Sequence, residues 1–312
     1  MKISILTSTY NRANELNKVY ESLLKNKSTL TPENAISFEW LIMDDGSTDN
    51  TKSVVQKFVD ENNADFSFEI KYFYHENKGK MESINELVEK ATGDLMFTCD
   101  SDDYLTDKAL NVISENYEKY KNENIYAMCF HRSMDGFIGD NYKKEFTTLF
   151  DLHFKDGKTG EDLLVFISKV RKQYKHKLEH NEKFITEARL YYEMDEKYNI
   201  VCINETLMIG SYKNDGYTKN ISNQIKKSPF GYYEYFKEIL EKDFKGVLWN
   251  KRLYAIKHYI LFATLTNSKN NVKSIRNLEN KFLYCVLYIP GKISTKIRFK
   301  WLKLVNKIKV LF

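Results

Sequence analysis

The fold is decided by residues 38–49, which read Phe-Glu-Trp-Leu-Ile-Met-Asp-Asp-Gly-Ser-Thr-Asp. The first half of this stretch is a mostly apolar run of strand length, and the run ends abruptly in Asp44 and Asp45. By itself, Asp-Gly-Ser-Thr-Asp is a turn followed by a helix N-cap. What the stretch means for the fold depends on the segments on either side of it.

Strand-like and helix-like segments alternate on both sides of this stretch. Short apolar runs predict strands at residues 3–7, 38–43, 70–74, 95–99 and 125–130. Apolar residues at three- and four-residue spacing predict helices between them, at residues 15–25, 51–61, 81–91 and 107–121. This alternation predicts an α/β fold in which a mostly parallel sheet carries helices on both faces.

The pattern is looser in the second half of the chain. Residues 135–215 mix short strands with at least one helix, near 184–197. From about residue 229 onward, aromatic and apolar residues at helical spacing predict helices, especially over 230–240 and 248–265. We therefore expect one domain over residues 1–220, divided near residue 130, and a helical extension over 221–291.

Polar side chains follow three of the predicted strands. The segments are Thr-Ser-Thr-Tyr-Asn-Arg at 7–12, Asp-Asp-Gly-Ser-Thr-Asp at 44–49 and Asp-Ser-Asp-Asp at 100–103. Ligands of an open parallel sheet bind outside the carboxyl ends of its strands, so these segments predict a site. The carboxylates at 100–103 repel one another unless a cation lies among them, and Asp-x-Asp offers the hard oxygen ligands that Mg²⁺ and Mn²⁺ favour. An acidic cap for the next helix is the alternative.

Several classes of protein are disfavoured by what the sequence lacks. No Gly-x-Gly and no Gly-x-x-x-x-Gly-Lys occurs, which weighs against a dinucleotide-binding Rossmann domain and a P-loop. No apolar run approaches the length of about 18 residues that a membrane-spanning helix needs, and the N-terminus does not read as a secretory signal. The four cysteines, which lie far apart in apolar segments, predict reduced core residues of a cytoplasmic protein: Cys99, Cys129, Cys202 and Cys285.

The positive charge of the chain is concentrated at its C-terminal end. The chain carries a net charge of +5, but residues 292–312 hold seven Lys and Arg and no acidic residue, and the other 291 residues carry a net charge of −2. Helical projection of residues 292–312 places apolar residues, including Trp301 and Phe312, between flanking lysines, as in an interfacial helix. An anionic membrane surface is the predicted partner; a helix docked on the protein's own core is the alternative, and nucleic acid is not expected.

Four motifs, taken together in this order and spacing, carry a family resemblance. They are Ile-Leu-Thr-Ser-Thr-Tyr-Asn-Arg at 5–12, Leu-Ile-Met-Asp-Asp-Gly-Ser-Thr-Asp at 41–49, Asn-Lys-Gly-Lys at 77–80 with the Ala-Thr-Gly-Asp at 91–94, and Asp-Ser-Asp-Asp at 100–103. The chain resembles the large inverting family-two glycosyltransferases, which have the GT-A fold. The resemblance extends over roughly residues 2–220.

The resemblance implies a site for a nucleotide-sugar donor, usually a UDP-sugar. By position, Ser8, Thr9 and Tyr10 would line the uracil and the ribose. Asp45 would accept a hydrogen bond from the uracil N3–H, with Asp44 nearby. The missing glycine motif is consistent with a nucleotide that is held by side chains rather than by a glycine-rich loop.

The resemblance also implies a metal-assisted diphosphate site. Asp102 would be the direct ligand of Mn²⁺ or Mg²⁺, Asp100 would contact the ribose or a metal-bound water, and Asp103 would lie in the outer shell. Arg12 and Lys80 are candidates for the diphosphate or its surroundings, although Arg12 could equally be a solvated charge at a helix start. A divalent ion would stabilise the charge that develops on the leaving diphosphate.

The residue that takes the acceptor's proton is expected in the second half. The sequence before Glu187 resembles the stretch before the base in one branch of the family, which makes Glu187 the candidate base; helix capping is the alternative. Many members carry Glu-Asp at the base position, and this chain has that pair only at Glu161 and Asp162. Asp162 is therefore the rival, and Asp195 is a further one. Residues 215–218 resemble a loop near the site.

These observations predict a metal-dependent, inverting glycosyltransferase of the hexosyltransferase type. It would transfer a sugar from a UDP-sugar to a hydroxyl of a glycan or lipid-linked saccharide in bacterial cell-surface polysaccharide synthesis, from a peripheral position on the inner face of the plasma membrane. The alternatives are a nucleotidyltransferase on a similar sheet and a catalytically inactive sugar- or membrane-binding module. The sequence does not identify the sugar, the acceptor or the oligomeric state.

Overall fold

The computed structural model describes residues 1–30, 36–65, 68–178, 180–211, 227–268, 275, 280–289 and 292–293. The predicted loop at 215–218 and nearly all of the predicted tail helix at 292–312 lie outside the described residues. The chain divides into two compact units. The first comprises residues 1–153, 158–177 and 187–220, and the second comprises residues 154–157, 178–186 and 221–312.

The first unit alternates strands and helices over its N-terminal half, as the sequence predicts. In chain order its elements are β1 (Lys2–Thr9), α1 (Leu16–Thr29), β2 (Ser37–Asp44), α2 (Thr51–Asp65), β3 (Glu69–Tyr74), α3 (Lys80–Lys90), β4 (Leu95–Thr98), β5 (Tyr104–Leu105), α4 (Ala109–Tyr120), β6 (Ile125–Met134), β7 (Phe146–Thr147), α5 (Leu149–Phe154), β8 (Glu161–Ile167), α6 (Ser168–Arg171), α7 (Ala188–Met194) and β9 (Asn199–Gly210). The helix expected near 184–197 is shorter and corresponds to α7.

These strands form a single sheet in the order β3-β2-β1-β4-β8-β6-β9-β5, with β7 paired to β9. The first four strands are parallel, which is the arrangement that the βα alternation predicts. The rest of the sheet is mixed: β8 runs antiparallel between β4 and β6, and β6 is parallel to β9. The predicted fifth strand, β6, is thus separated from β4 by a strand that comes later in the chain.

The core of this sheet is packed with aromatic residues. Trp40 on β2 is fully buried and stacks on Tyr20 of α1 and Phe58 of α2, with ring centroids 6.4 and 6.0 Å away. Tyr20 and Phe58 stack on each other at 4.4 Å. Stacked aromatic pairs add about 0.5–1.5 kcal/mol each to the stabilisation from buried area, so this cluster fixes α1 and α2 against one face of the sheet. Three of the cysteines are buried as predicted, but Cys285 is exposed.

A buried carboxylate ties the parallel strands together on one face. Glu39 on β2 has no solvent exposure, accepts hydrogen bonds from the Ser4 hydroxyl (2.6 Å) and the Thr92 amide (2.7 Å), and pairs with Lys2 (3.0 Å) and Lys71 (3.3 Å). Burial raises the pKa of a carboxyl group, but these hydrogen bonds lower the pKa of Glu39 to about 2, below its ordinary value of 4.5. Glu39 is therefore ionised at neutral pH.

Glu39→Gln is expected to destabilise the first unit at neutral pH by about 3 kcal/mol, the free energy that corresponds to the depressed pKa. Because the folded-state pKa lies below the unfolded value, this stabilisation is present above about pH 4.5 and is lost as the pH falls toward 2. Denaturant unfolding at pH 7 and pH 3 measures both effects. Glu69→Gln is the matched control: Glu69 pairs with the same lysines but is half exposed, so it should change stability by less than about 1 kcal/mol. Equal losses in the two variants would contradict the assignment.

The second unit is helical and is also built on aromatic residues. Its two long helices are α8 (Pro229–Glu241) and α9 (Trp249–Leu265), and residues 280–289 form a further helix. Phe262 of α9 stacks on Tyr232 (5.0 Å) and on Phe236 (5.6 Å) of α8. The carboxylate of Glu182 accepts hydrogen bonds from the amides of Phe230 (2.8 Å) and Gly231 (2.7 Å) and so caps α8. Among the described residues, no helix has the length and apolar character needed to span a bilayer.

Candidate active site

The loops that follow β1 and β2 are locked together by Asn11. Its backbone adopts a positive φ of 52°, and its side-chain oxygen accepts hydrogen bonds from the amides of Thr48 (2.8 Å) and Asp49 (3.4 Å). Its own amide donates to the Ser47 hydroxyl at 2.9 Å. Two of the polar segments that the sequence singled out therefore form one structure at the carboxyl edge of the sheet.

Asp45 joins the loop after β3 to this structure. It is buried, and its carboxylate accepts hydrogen bonds from the Asn77 side chain (3.0 Å) and from the amides of Lys78 (2.7 Å) and Gly79 (3.0 Å). Gly46 has φ of +84°, and a Cβ at this position would lie 2.8 Å from the Asn77 amide nitrogen, so only glycine fits where the loops meet. Asp45 thus has a structural role, whatever else it contacts.

The remaining candidate nucleotide-binding residues lie at the carboxyl ends of β1 and β2. Asp44 is buried and accepts hydrogen bonds from the Ser47 amide (2.7 Å) and the Tyr72 hydroxyl (2.6 Å). Ser8 is half-buried, Tyr10 is 49% exposed, and Thr9 is buried with no hydrogen-bond partner for its hydroxyl in the described structure. An unsatisfied buried hydroxyl beside an exposed aromatic ring is suited to a ligand that brings both a polar group and a flat face.

The acidic segment lies immediately after β4. Asp100 pairs with Lys80 at 2.8 Å, and Asp103, which is 1% exposed, pairs with Arg132 at 2.6 Å. Burial raises the pKa of the Asp103 carboxyl to about 7, and Arg132 only partly offsets this effect. Burial also raises the pKa of Asp100, but Lys80 and Arg132 outweigh it and bring the pKa below its ordinary value. Two specific cations, Lys80 and Arg132, therefore offset part of the negative charge at this strand end.

Lys80 connects this acidic segment to the predicted base. Its ammonium group lies 2.8 Å from Asp100 and 3.2 Å from the Oε1 of Glu187, and the Tyr191 hydroxyl donates to the Oε2 of Glu187 at 3.1 Å. Glu187 stands at the N-cap position of α7, but its side chain forms no capping hydrogen bond, so capping does not explain it. Burial and the Asp100 charge raise the pKa of Glu187, yet Lys80 holds it below its ordinary value. The Glu187 carboxylate is therefore ionised at neutral pH.

Arg132, near the end of β6, forms a second group of ion pairs across the site. Its guanidinium pairs with Asp103 at 2.6 Å and with Glu161 of β8 at 3.2 Å, and lies 3.9 Å from Asp100. Gly210, at the end of β9, lies against this pair: a Cβ there would come within 2.3 Å of the Asp103 carboxylate. Arg132 thus fixes the acidic segment relative to the second half of the sheet.

A cavity of about 280 Å³ connects these residues. Its lining combines the basic side chains of Lys80, Arg132 and His153 with five carboxylates, which come from the segment after β4, from β8 and from the residue before α7: Asp100, Asp103, Glu161, Asp162 and Glu187. All of its lining residues belong to the first unit. The predicted nucleotide residues Ser8, Thr9, Tyr10, Arg12, Asp44 and Asp45, and also Asp102, are not part of this lining.

The two rival candidates for the base, Asp162 and Asp195, have carboxylates that are engaged by other residues. Asp162 lines the cavity, but its carboxylate is occupied by Lys158 (2.6 Å), the Tyr142 hydroxyl (2.7 Å) and His153 (3.5 Å). Burial raises the pKa of Asp162, and these partners together bring it below its ordinary value. Asp195 accepts hydrogen bonds from the first amides of α5 and from the Tyr126 hydroxyl, which gives it a structural role.

The chemistry of the acidic segment fits a divalent cation. Asp102 is half-buried and, unlike Asp100 and Asp103, forms no ion pair with any side chain among the described residues. Burial and the Asp100 charge raise the pKa of Asp102. Within the described ranges, no cluster of three or more His, Cys, Asp or Glu could hold a metal ion alone. Mg²⁺ and Mn²⁺ bind well through one or two carboxylates completed by substrate phosphates, and Asp102 with Asp100 offers such a set.

Sequence reasoning missed Arg132, Tyr191 and His153. A signal existed for Arg132: the apolar run of β6 ends in His131-Arg132-Ser133, a fourth polar strand end. Tyr191 lies one helical turn after Glu187, which places both on one face of α7. No local pattern distinguishes His153, because its role depends on Asp162 and on the Tyr192 hydroxyl, 3.1 Å from its Nδ1. Arg12 pairs with Glu15 at 3.7 Å, as a charge at a helix start does.

Residues 4–179 match the model of glycosyl transferase family 2. An uncharacterized glycosyltransferase of Mycoplasma pneumoniae is 40% identical over 38% of either chain, and one of Mycoplasma genitalium is 25% identical over 90% of this chain and 84% of its own. The GalNAc(5)-diNAcBac-PP-undecaprenol beta-1,3-glucosyltransferase of Campylobacter jejuni is 26% identical over 78% of this chain and 75% of its own.

Solved structures share the fold at low sequence identity. Staphylococcus aureus TarS 1–349 in complex with UDP-GlcNAc has a TM-score of 0.55 at 17% identity and covers 95% of this chain and 79% of its own. The mannosyltransferase PcManGT of Pyrobaculum calidifontis, in complex with GDP-Man and Mn²⁺, has a TM-score of 0.54 at 13% identity and covers 94% and 83%. The family and the GT-A fold that the sequence motifs indicated are both confirmed.

Proposed function

We propose that this chain, which belongs to glycosyl transferase family 2, is a metal-dependent, inverting hexosyltransferase. It transfers a sugar from a nucleotide donor, a UDP-sugar, to a hydroxyl of a glycan or lipid-linked saccharide in bacterial cell-surface polysaccharide synthesis. Residues 1–220 form the transferase domain, with the donor side before about residue 130 and the acceptor side after it. Residues 221–291 are a helical extension.

The observation that carries the proposal is the ion-pair chain from Asp100 through Lys80 to Glu187. It brings a strand-end carboxylate with Asp-x-Asp spacing and an ionised glutamate into one cavity, although they come from distant parts of the sequence. Glycosyl transfer requires these two elements side by side, since charge develops on the leaving diphosphate while a proton leaves the attacking hydroxyl. A sugar-binding module has no need of an ionised glutamate that can take a proton.

The donor is proposed to bind along the loops after β1, β2 and β3. Tyr10 supplies an exposed ring for the base, and the unpartnered Thr9 hydroxyl and Ser8 supply polar contacts. Asp44 and Asp45 hold the loop geometry, and Asp45 is proposed to face the uracil. Support for this class of donor comes from the structural neighbours, whose complexes contain UDP-GlcNAc and GDP-Man.

The diphosphate is proposed to lie against the acidic segment, beside Lys80 and within reach of Arg12. When bound by Asp102 and Asp100, a divalent cation supplies positive charge to the diphosphate, in keeping with the Mn²⁺ in the complex of PcManGT. Lys80 offsets the negative charge of Asp100 and places its ammonium group in the lining of the cavity. Arg132 pairs with Asp103 and so holds the acidic segment in place. The segment is therefore expected to keep its position when a cation binds to Asp102 and Asp100.

The transfer itself is proposed to be a single displacement. The acceptor oxygen forms a bond to the anomeric carbon as the bond from that carbon to the phosphate oxygen breaks, which inverts the configuration. The hydroxyl proton passes to the carboxylate of Glu187, and the nucleoside diphosphate leaves with the electron pair of the broken bond. Tyr191 and Lys80 orient the two carboxylate oxygens. Asp162 is the rival base, although three partners occupy its carboxylate.

The acceptor and the location are proposed from the name of one relative and from the charge of the C-terminal segment. The Campylobacter jejuni relative is named for a PP-undecaprenol-linked acceptor, which supports a lipid-linked saccharide here. Residues 292–312, with seven basic and no acidic residues, are proposed to bind an anionic membrane surface at the cytoplasmic face. No specific sugar is proposed.

The experiment that tests the function is a thermal-shift panel of UDP, GDP and CMP, each with and without Mn²⁺. A ligand present at one hundred times its Kd stabilises the native state by about 2.7 kcal/mol, which raises the Tm of a chain of this size by about 5 °C. We expect a shift with UDP that requires Mn²⁺, followed by Mn²⁺-dependent release of UDP from a UDP-sugar when acceptor is added. Binding of UDP without any turnover of UDP-sugars would favour an inactive binding module. No shift with any nucleotide would overturn the proposal.

A further inference from the structure

The helix at residues 280–289 presents an apolar face to solvent. Phe282, Val286 and Ile289 are 69%, 53% and 66% exposed, and their spacing of four and three residues places them on one side of this helix. We call these three residues the apolar stripe. Large apolar side chains exposed in a contiguous row are unusual in a protein surface that faces only water.

The opposite side of the same helix is docked on the second unit. Tyr284 is 3% exposed, and its ring packs against Tyr259 of α9 at 6.0 Å and against Tyr288 at 5.4 Å. Asn280 is fully buried. The helix is therefore held by one face, and the apolar stripe is the face that remains outside.

The sequence from the start of this helix to residue 312 carries only positive charge. Residues 280–312 contain eight Lys and Arg and no Asp or Glu. Lys281 and Lys292 lie at the two ends of the stripe, and the ammonium group of Lys292 contacts the Tyr288 hydroxyl at 3.1 Å. An apolar face with a lysine at each end matches the boundary between anionic headgroups and acyl chains.

We propose that the apolar stripe inserts into the surface of an anionic phospholipid bilayer, with Lys281 and Lys292 at the level of the headgroups. This inference rests on the proposed membrane association, which the sequence placed only in residues 292–312. It assigns the apolar part of the membrane contact to described residues of the second unit. A second copy of the chain is a poorer occupant, because a symmetric contact through this face would bring the lysines beside the apolar stripe of both copies together.

Cys285 allows a direct test. It is exposed on the same helix, whereas Cys99, Cys129 and Cys202 are buried, so a thiol-reactive, polarity-sensitive fluorophore labels it selectively. The full chain, labelled at Cys285, is mixed with vesicles of phosphatidylcholine alone or with added phosphatidylglycerol. We expect a blue shift and a rise in fluorescence only with the anionic vesicles. The matched control carries Cys285→Ser and Phe137→Cys, which moves the label to an exposed site of the first unit, and should show no change.

A variant series separates insertion from simple charge attraction. Phe282→Ser combined with Val286→Ser and Ile289→Ser should reduce co-sedimentation with anionic vesicles by about tenfold or more, and Phe137→Ser should leave it unchanged. High salt should weaken the residual binding of the triple variant more than that of the unmodified chain, because only the lysine contribution is screened. Unchanged binding by the triple variant would overturn the proposal, as would a fluorescence change that depends on protein concentration without vesicles.

The same preparations distinguish this proposal from the proposed enzyme function. Each variant is also tested for the Tm shift by UDP with Mn²⁺, which reports the first unit. An intact nucleotide shift with lost vesicle binding supports the apolar stripe; vesicle binding without any nucleotide shift supports it while overturning the donor proposal. A nucleotide-competent chain that binds neither type of vesicle overturns the stripe alone.

Discussion

Glu187→Gln is expected to reduce sugar transfer by about 10²- to 10⁴-fold, the usual contribution of a general base. The amide keeps the size of the side chain and can still contact the Tyr191 hydroxyl, but it cannot take a proton from the acceptor hydroxyl. Donor binding should change by no more than about twofold, since the base acts in the transition state and not on the bound donor. The measurements are the rate of transfer from a UDP-sugar and the Tm shift by UDP with Mn²⁺.

Two further variants make the result specific to Glu187. Glu193→Gln makes the same chemical change on the same helix, where Glu193 pairs with Lys177 at the surface, and should leave transfer unchanged. Asp162→Asn tests the rival. If Asp162→Asn abolishes transfer with normal donor binding while Glu187→Gln remains active, then Asp162 is the base and Glu187 serves only to anchor Lys80.

Asp102→Ala is expected to abolish the metal dependence of donor binding and to lower transfer by about three orders of magnitude, because several kcal/mol of charge stabilisation at the leaving diphosphate is lost. The fold should be retained, since Asp102 forms no ion pair among the described residues. The Tm of the ligand-free variant should therefore match that of the unmodified chain or slightly exceed it, as the carboxylate repels its neighbour Asp100.

The control for Asp102 is Asp107→Ala, which removes a carboxylate from the same region of sequence. Asp107 is exposed and lies 3.8 Å from Lys25, a surface pair that contributes little. Binding of Mn²⁺ can be followed without the donor by electron paramagnetic resonance, and binding of UDP by thermal shift. A variant at position 102 that retains an Mn²⁺-dependent shift with UDP would contradict the proposed ligand and transfer the assignment to Asp100 or Asp103.

Two basic residues, Lys80 and Arg132, connect the parts of the site more closely than the sequence suggested. Lys80 was predicted for the diphosphate, and in the structure it is also the partner of Glu187. Arg132, which the sequence analysis did not single out, pairs with the buried Asp103 and with Glu161. Breaking a buried ion pair at one partner leaves an uncompensated charge, so substitutions at Arg132 alter stability and activity together and are less informative than those at Asp102 and Glu187.

The amino-acid sequence alone predicts the α/β class, a mostly parallel sheet that includes β1 to β4, and the polar segments after β1, β2 and β4. Each of these features can be recognised from residues that are neighbours in the sequence. Apolar runs indicate strands, apolar residues at a spacing of three to four indicate helices, and polar or turn-forming residues mark the strand ends. It also indicated the family, because four motifs occur in order along the chain. These features are local or sequential, so they can be recognised without knowing which segments pack together.

The way in which the second half of the sheet completes the cavity depends on long-range contacts, which the sequence did not predict. Strand β8 inserts antiparallel between β4 and β6, and this placement brings Glu161 and Asp162 next to the acidic segment. The contacts from Lys80 to Glu187 and from Arg132 to Asp103 join elements that are distant in the chain. Such pairings arise because buried charges must be balanced in three dimensions, and no periodicity along a sequence records which partner will be within reach.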